Sequence, residues 1–231
     1  AEKCVEKYLE LANADISILK AVATPGIDDH QIASDKLLTK GVLALICARI
    51  VLKVLFFARV ARTDLLSSVN MLARDVTRWT AAFDDRLLRL ISYILCTKHW
   101  CLKCMVGDSV DQIKIAVYAD ASFAGDLRDS KSTTGGLVCL VGPRTFVPLS
   151  WICKKQSAVS HSSTEAEVIS LETTMRMEGL LILNLWSQVV FAITASSMDQ
   201  SWPASHPEAL QRYNAVSYTH LRAHETPEHL V

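Results

Sequence analysis

Apolar and polar positions follow two rhythms along the chain, and the rhythm changes near residue 104. Before that point the spacing is helical. In AEKCVEKYLELA, Cys4 or Val5, Tyr8, and Leu11 or Ala12 fall on one side. ATPGIDDHQ (23–31) reads as a turn and linker, marked by Pro25, Gly26 and two aspartates. From about Ser34 to Arg59 the pattern is helical again, with Gly41 a candidate break. Leu65, Val69, Leu72 and Val76 are spaced for a second helix. Asp84 is placed to cap a third, with Leu87, Ile91, Ile94 and Leu95 inward.

After residue 104 a period of two takes over. Ile113, Ile115 and Val117 alternate with Lys114, Ala116 and Tyr118, which predicts a half-buried strand over 113–118. DLRDSKSTTGG reads as a loop, GLVCLV (136–141) as a second strand and GPR (142–144) as a hairpin turn. TFVPLSWIC (145–153) is a third strand, in which Pro148 predicts an edge or a bulge. Strands this close together form an antiparallel meander. A long helix then opens at SHSSTEAEV, where Ser162 and Glu165 fit a capping box. Its apolar seam is Val168, Leu171, Met175, Gly179, Ile182, Trp186 and Val190, with Gly179 allowing close packing on the sheet.

Beyond Ala192 the periodicity fails, and Pro203 and Pro207 break the polar stretch. VSYTHLRAHET resembles the translation of a sequencing-library adapter, so His220, His224 and His229 are not read as a metal cluster. The expected organisation is a helix and linker over 1–33, a helical segment over 34–104, a strand-and-helix domain over 105–192, and a disordered, non-native tail over 193–231. The fold class is α/β.

Composition adds bounds. The chain has 231 residues, half of them hydrophobic, which is enough to build a core. Its net charge of zero hides a division: residues 49–104 carry ten Lys/Arg against four Asp/Glu. Such a block suits either phosphate contacts or a solvated helix face. The run GVLALICARIVLKVLFF is broken by Arg49 and Lys53, which fits a buried helix and no membrane partner. The start AEKCVEKYLE has no secretory pattern. It also lacks an initiator Met, as in a piece of something longer. Seven cysteines without a disulfide-framework spacing point to an intracellular setting, cytoplasmic or nuclear.

The chemistry centres on Asp120, at the end of the first strand among small residues. A carboxylate entering a core needs a partner, a hydrogen bond or a metal. The start of the long helix offers Glu165, committed to the capping box, and Glu167, which is free. Asp120 and Glu167 are expected to converge on one divalent cation, Mg²⁺ or Mn²⁺, since both present hard oxygens. Spacing alone favours the plainer reading, in which Asp120 caps a turn and Glu167 is a solvated helix residue. Cys101 and Cys104, with His99 and Cys96 nearby, lack a second ligand pair and read as reduced thiols in a turn. Cys139 reads as core. Trp79, Trp100 and Trp151 read as packing residues, and His161 as a surface turn residue. Ser160, Ser162 and Ser163 have no His/Asp set for acyl transfer.

YADASFAGD, STTGG and LSWICKKQSAVSHSSTEAE, in this order over about 80 residues, resemble the ribonuclease H domain of copia-type LTR retrotransposon polyproteins. ARIVLKVLFFARVARTDLLSSVNMLARDVTRW and RLLRLISYILCT are similar to the segment joining reverse transcriptase to that domain, so the resemblance spans about residues 20–192. It implies a mixed sheet flanked by helices, and hydrolysis of the RNA strand of an RNA–DNA hybrid with two Mg²⁺ ions. Asp120 falls on the carboxylate that bridges both metals, and Glu167 on the second ligand. Arg144, Lys154 and Lys155 become phosphate contacts. The family has two further acidic ligands downstream. Asp199 does not match them, Phe123 stands for the motif's Trp, and Thr63 for the proline after the connection arginine. The expected fold is therefore an incomplete ribonuclease H-like one, a three-stranded meander plus a long helix. It would bind Mg²⁺ weakly, be inactive alone, and partner hybrid nucleic acid and the rest of the polyprotein. The alternatives are a non-catalytic nucleic-acid-binding remnant, with basic helices over 49–104, and an inert translated retroelement fragment.

Overall fold

The computed structural model describes residues 1–27, 31–125, 129–197 and 216–219. The chain divides into two compact units, Ala1–Leu102 and Lys103–Val231. Asp199 and the tail's prolines and histidines lie outside the described residues.

The first unit is helical. Helix α1 (Glu2–Ala12) buries Cys4, Val5 and Tyr8 and ends on Asn13 in the left-handed conformation. Helix α2 (Cys47–Ala61) buries Cys47, Ile50, Val51, Val54 and Ala58, while Leu52, Phe56 and Val60 are exposed. The apolar run expected to form a buried helix is therefore covered on one side only. Residues 34–46 are not a continuous helix either. A single 3₁₀ turn, Ser34–Leu37, is followed by turns. Gly41 explains the break, because its N–H donates to Trp79 O, and an added Cβ would lie 2.6 Å from Thr80 O and Trp79 Cδ1. Helix α3 (Leu66–Arg74) buries Leu66, Val69 and Leu72.

Helix α4 (Ala81–Cys96) buries Leu87, Leu90, Ile91 and Ile94 among others. Its N-cap position is Thr80, not Asp84. Asp84 instead accepts from the N–H groups of Val42 (2.6 Å) and Leu43 (3.2 Å) and from Trp79 Nε1 (2.7 Å). It fastens a distant turn that no local pattern reveals.

The second unit is a sheet with a helical layer. Strands β1 (Lys114–Ser122), β2 (Thr133–Gly142) and β3 (Thr145–Lys155) form the expected antiparallel meander. Thr133–Gly135, expected in a loop, belong to β2. The β2–β3 register shifts between Val138, opposite Ser150, and Cys139, opposite Pro148, which places a bulge beside the proline. A fourth strand, β4 (Val216–Thr219), runs parallel to β1, giving the order β3-β2-β1-β4. The three-stranded meander thus stands, and β4 adds a parallel strand from a stretch expected to be disordered, the rest of 198–231 lying outside the described residues. The outer edge of β1 offers unpaired backbone groups, and VSYT is rich in strand-favouring types.

The long helix packs on β1 and β2 in three pieces: α5 (Ser163–Thr174), a π-helical turn (Met175–Gly179) and α6 (Leu180–Ser197). Ser162 caps α5 by accepting from Glu165 N–H (3.1 Å), while the Glu165 carboxylate accepts from His161 N–H (2.7 Å). The capping box thus forms, displaced by one residue on its return arm. The seam differs from the expected one. Ala166, Ser170 and Thr174 are buried in α5, whereas Val168 is 61% exposed. The π turn buries Gly179, and past it the buried positions are Trp186 and Val190. The step from Thr174 to Gly179 is five residues, so the extra residue of the π turn shifts one stripe into the other.

Ile113, Ile115, Val117, Val138, Leu140, Trp186 and Val190 form the core here. Gly136 admits the helix, since an added Cβ would overlap Thr174 Oγ1 and lie 2.6 Å from its Cγ2. By length and composition alone, Ser163–Thr194 is apolar enough to cross a membrane.

Candidate functional site

Asp120 is exposed and sits in β1 opposite Gly135 of β2. Alternation along the strand gives its side chain the face of Ala116 and Tyr118, opposite that of Val117 and Ala119. Glu167, half-buried in the first turns of α5, meets the same strand through its backbone: Glu167 Oε1 accepts from Ala121 N–H at 3.2 Å. Ser170 Oγ, one helical turn on, donates to Asp120 O at 2.6 Å. Glu167 is therefore fastened to the peptide joining Asp120 to Ala121, within reach of the Asp120 charge, and the two side chains do not stack on one sheet face.

Burial raises the Glu167 carboxyl above its ordinary range. The Ala121 bond counters this in part, and the nearby Asp120 charge adds to the rise. Glu167 Oε2 is buried without a hydrogen-bond partner among the described residues.

The basic residues assigned to phosphates are scattered. Lys154 is exposed at the end of β3 opposite Thr134, near Asp120 in register. Lys155 is ion-paired to Asp129 at 2.6 Å. Arg144 lies in the β2–β3 turn, where its N–H donates to Asp108 Oδ2 at 2.7 Å and its guanidinium lies 3.5 Å from Oδ1. From Gly135 to Gly142 the sheet runs about 24 Å at ~3.4 Å per residue, so Arg144 is not brought to the carboxylate pair.

The basic block of the helical unit is also partly neutralised. Arg62 pairs with Asp64, Arg78 with Asp75, and Arg86 lies over the Phe83 ring. Cys96, Cys101 and Cys104 are exposed free thiols. Among the described residues, no group of three or more His, Cys, Asp or Glu side chains is placed to hold a metal.

Sequence reading missed the residues that fasten α5 beside Asp120. Gln156 ends the KKQ run and is 6% exposed. Its Nε2 donates to Thr134 Oγ1 (3.2 Å) and Ala166 O (2.9 Å), and its Oε1 accepts from Ser160 Oγ (3.1 Å). The sequence signal for it is a polar residue closing the KKQ run, between a strand and a helix.

No protein-family profile matches the chain, and no solved structure matches it. Curated proteins do. The chain is 33% identical over 127 residues to a putative transposon Ty5-1 protein of Saccharomyces cerevisiae, covering 54% of this chain and 39% of that protein. It is 31% identical over 179 residues to the retrovirus-related Pol polyprotein from transposon TNT 1-94 of Nicotiana tabacum, covering 75% of this chain and 13% of the polyprotein. Its homologues are thus Ty/copia-type retrotransposon Pol polyproteins at 31–34% identity over about half to three quarters of the chain, and the chain spans well under half the length of these relatives.

A match covering three quarters of the chain must include residues of both units, so the Pol likeness is not confined to the sheet. A relative that is not described as a polyprotein matches as well. The chain is 32% identical over 118 residues to secreted RxLR effector protein 161 of Plasmopara viticola, covering 51% of this chain and 78% of that protein.

Proposed function

We propose that the second unit is a ribonuclease H-type domain of a Pol polyprotein, with an incomplete two-metal site for cutting the RNA strand of RNA–DNA hybrids. The first unit is then the connection to reverse transcriptase. One observation carries the reading: Glu167 is docked on the backbone beside Asp120 and keeps a buried oxygen without a partner.

Hard carboxylate oxygens, one exposed and one buried and unpartnered, suit Mg²⁺ or Mn²⁺, and a site of two carboxylates holds such an ion weakly. When bound, the ion supplies charge stabilisation at the scissile phosphate. The chain's own residues do the rest. Ala121 N–H orients Glu167, Ser170 fixes the Asp120 peptide, and Lys154 stands at the same end of the sheet for the nucleic-acid backbone. With two carboxylates of the four in the family pattern, the chain alone is catalytically inactive.

Four exposed apolar residues of α2 and its approach, Leu45, Leu52, Phe56 and Val60, are consistent with packing against the rest of the polyprotein. Seven cysteines without a disulfide-framework spacing support a cytoplasmic or nuclear setting. The 215–231 segment we read as adapter-derived, with β4 an extended segment lodged on the free edge of β1.

Calorimetric Mg²⁺ titration and cleavage of a labelled hybrid test the reading together. Weak Mg²⁺ binding that disappears in Asp120→Asn and Glu167→Gln, without turnover, is the expected result. Binding that survives both substitutions removes the metal site. Robust turnover lost in Asp120→Asn shows a complete nuclease and overturns the claim of inactivity.

A further inference from the structure

The interface between α5 and the sheet is polar where helix-on-sheet packing is ordinarily apolar. Thr134 (1% exposed), Gln156 (6%), Ser160 (5%), Ser170 (0%) and Thr174 (0%) line it, and each is hydrogen-bonded. Gln156 joins three elements. Its backbone N–H donates to Ser132 O (2.8 Å), its carboxamide N–H₂ spans Thr134 of β2 and Ala166 of α5, and Ser160 donates to its oxygen. The amide's orientation is thereby fixed, because both acceptors meet the nitrogen and the donor meets the oxygen.

Ala166 directly precedes Glu167. Ser170 holds the other side of the same turn, reaching Asp120 O and, at 3.3 Å, Gly135 O. Apolar packing is non-directional and would let the helix slide along the strands. Satisfied buried hydrogen bonds specify a single register.

We propose that Gln156 is a positioning residue. Its carboxamide is the centre of a polar clasp with Thr134, Ser160 and Ser170 that sets the register of α5 on β1 and β2, and so fixes the Glu167 carboxylate against the Asp120–Ala121 peptide. As a device serving the carboxylate pair it rests on the function proposed above. The placement itself can be read without any metal.

The test uses the full chain, metal-free, with the Ala121 amide as reporter because its N–H bonds Glu167. Glu167→Ala supplies the reference shift for a broken bond. Gln156→Met keeps length and volume but removes the hydrogen bonds. Thr134→Val is near-isosteric, strand-favouring and deletes one acceptor. Ser150→Ala is the control, since it removes the Ser150–Glu178 bond (2.6 Å) farther along the helix.

The Ala121 resonance is expected to move toward the Glu167→Ala position in Gln156→Met, and part-way in Thr134→Val. It should stay at the wild-type position in Ser150→Ala even where the melting temperature falls. Mg²⁺ affinity by calorimetry should drop about ten- to a hundredfold in Gln156→Met.

An Ala121 resonance unmoved in a folded Gln156→Met chain overturns the clasp. Should that variant not fold, an unmoved resonance in Thr134→Val does the same. If wild type binds no Mg²⁺, the function proposed above fails, while the Ala121 comparison still decides the role of Gln156.

Discussion

Asp64 in the helical unit and Glu167 in the sheet unit are both partly buried carboxylates, and they are handled in opposite ways. Asp64 receives a two-pronged bond from Arg62, Nε to Oδ1 at 2.8 Å and Nη2 to Oδ2 at 2.7 Å. Arg62 is 4% exposed and is completed by Thr97, which accepts through its carbonyl (3.0 Å) and hydroxyl (2.7 Å). The Tyr93 and Trp100 rings lie 5.8 and 5.7 Å from the guanidinium. Burial pushes the Asp64 carboxyl up, but the bond to Arg62 and its charge outweigh that and hold it below the ordinary range. Glu167 has one backbone donor, a like charge nearby, and a raised carboxyl. A saturated ion pair serves folding. A carboxylate with a spare buried oxygen near a like charge is instead the feature on which the proposed cation site rests.

The largest expected effect of breaking this contrast is in the helical unit. Arg62→Ala should cost about 3–5 kcal/mol in urea unfolding, because Asp64 and the Thr97 oxygens lose their partner in a buried place. A loss below about 1 kcal/mol would reassign the pair to the weak surface class.

The site is expected to respond in the other direction. Asp64 titrates lower in the folded chain than in the unfolded one. Its contribution is present above its ordinary value of 3.8 and is lost as pH falls. Glu167 titrates higher in the folded chain, so the folded state holds its proton more tightly and stability falls as pH rises above 4.5. Glu167→Gln should therefore raise stability at pH 7, by under about 1 kcal/mol, and flatten the decline above pH 4.5. Unfolding midpoints of wild type and variant across pH 3–8 measure both. A variant less stable at pH 7 would mean that Glu167 is chiefly a structural acceptor.

This contrast also marks what could be read from the chain. The Ile113–Val117 alternation gave β1, Pro148 gave the bulge, and Ser162 with Glu165 gave the start of α5, since each is encoded within a few residues. Asp120 and Glu167 stand out by chemical type and by resemblance, and the structure ties Glu167 to the Ala121 N–H, one residue from Asp120. The roles of Arg62, Asp84 and Gln156 depend on partners 35, 42 and 22 positions away, which no local pattern reports. The π turn also escaped, because Val168, Leu171 and Met175 make a plausible α-helical seam. Close polar packing, of Ser170 against Gly135 O and of Thr174 under Gly136, prevails over apolar spacing. Parallel β4 lies in the stretch that resembles adapter sequence, where no strand is expected.

The smallest effect compares backbone rather than charge. Each unit has a left-handed residue at an element's end: Asn13 after α1 and Ala124 after β1, both with φ of 48°. Asparagine adopts this conformation at little cost, whereas alanine has a Cβ that meets the following carbonyl. Ala124 is held in the turn after Asp120 by its N–H donating to Ser132 Oγ at 3.2 Å. Ala124→Gly should relieve about 1–2 kcal/mol of local strain and give back about 0.4–1 kcal/mol through the freer unfolded chain, a net gain of roughly 0.5–1 kcal/mol. Asn13→Ala should lose a comparable amount, so thermal midpoints of the two variants should move in opposite directions. Equal shifts of one sign would show that the Ser132 bond, and not the alanine backbone, governs the turn beside the carboxylates.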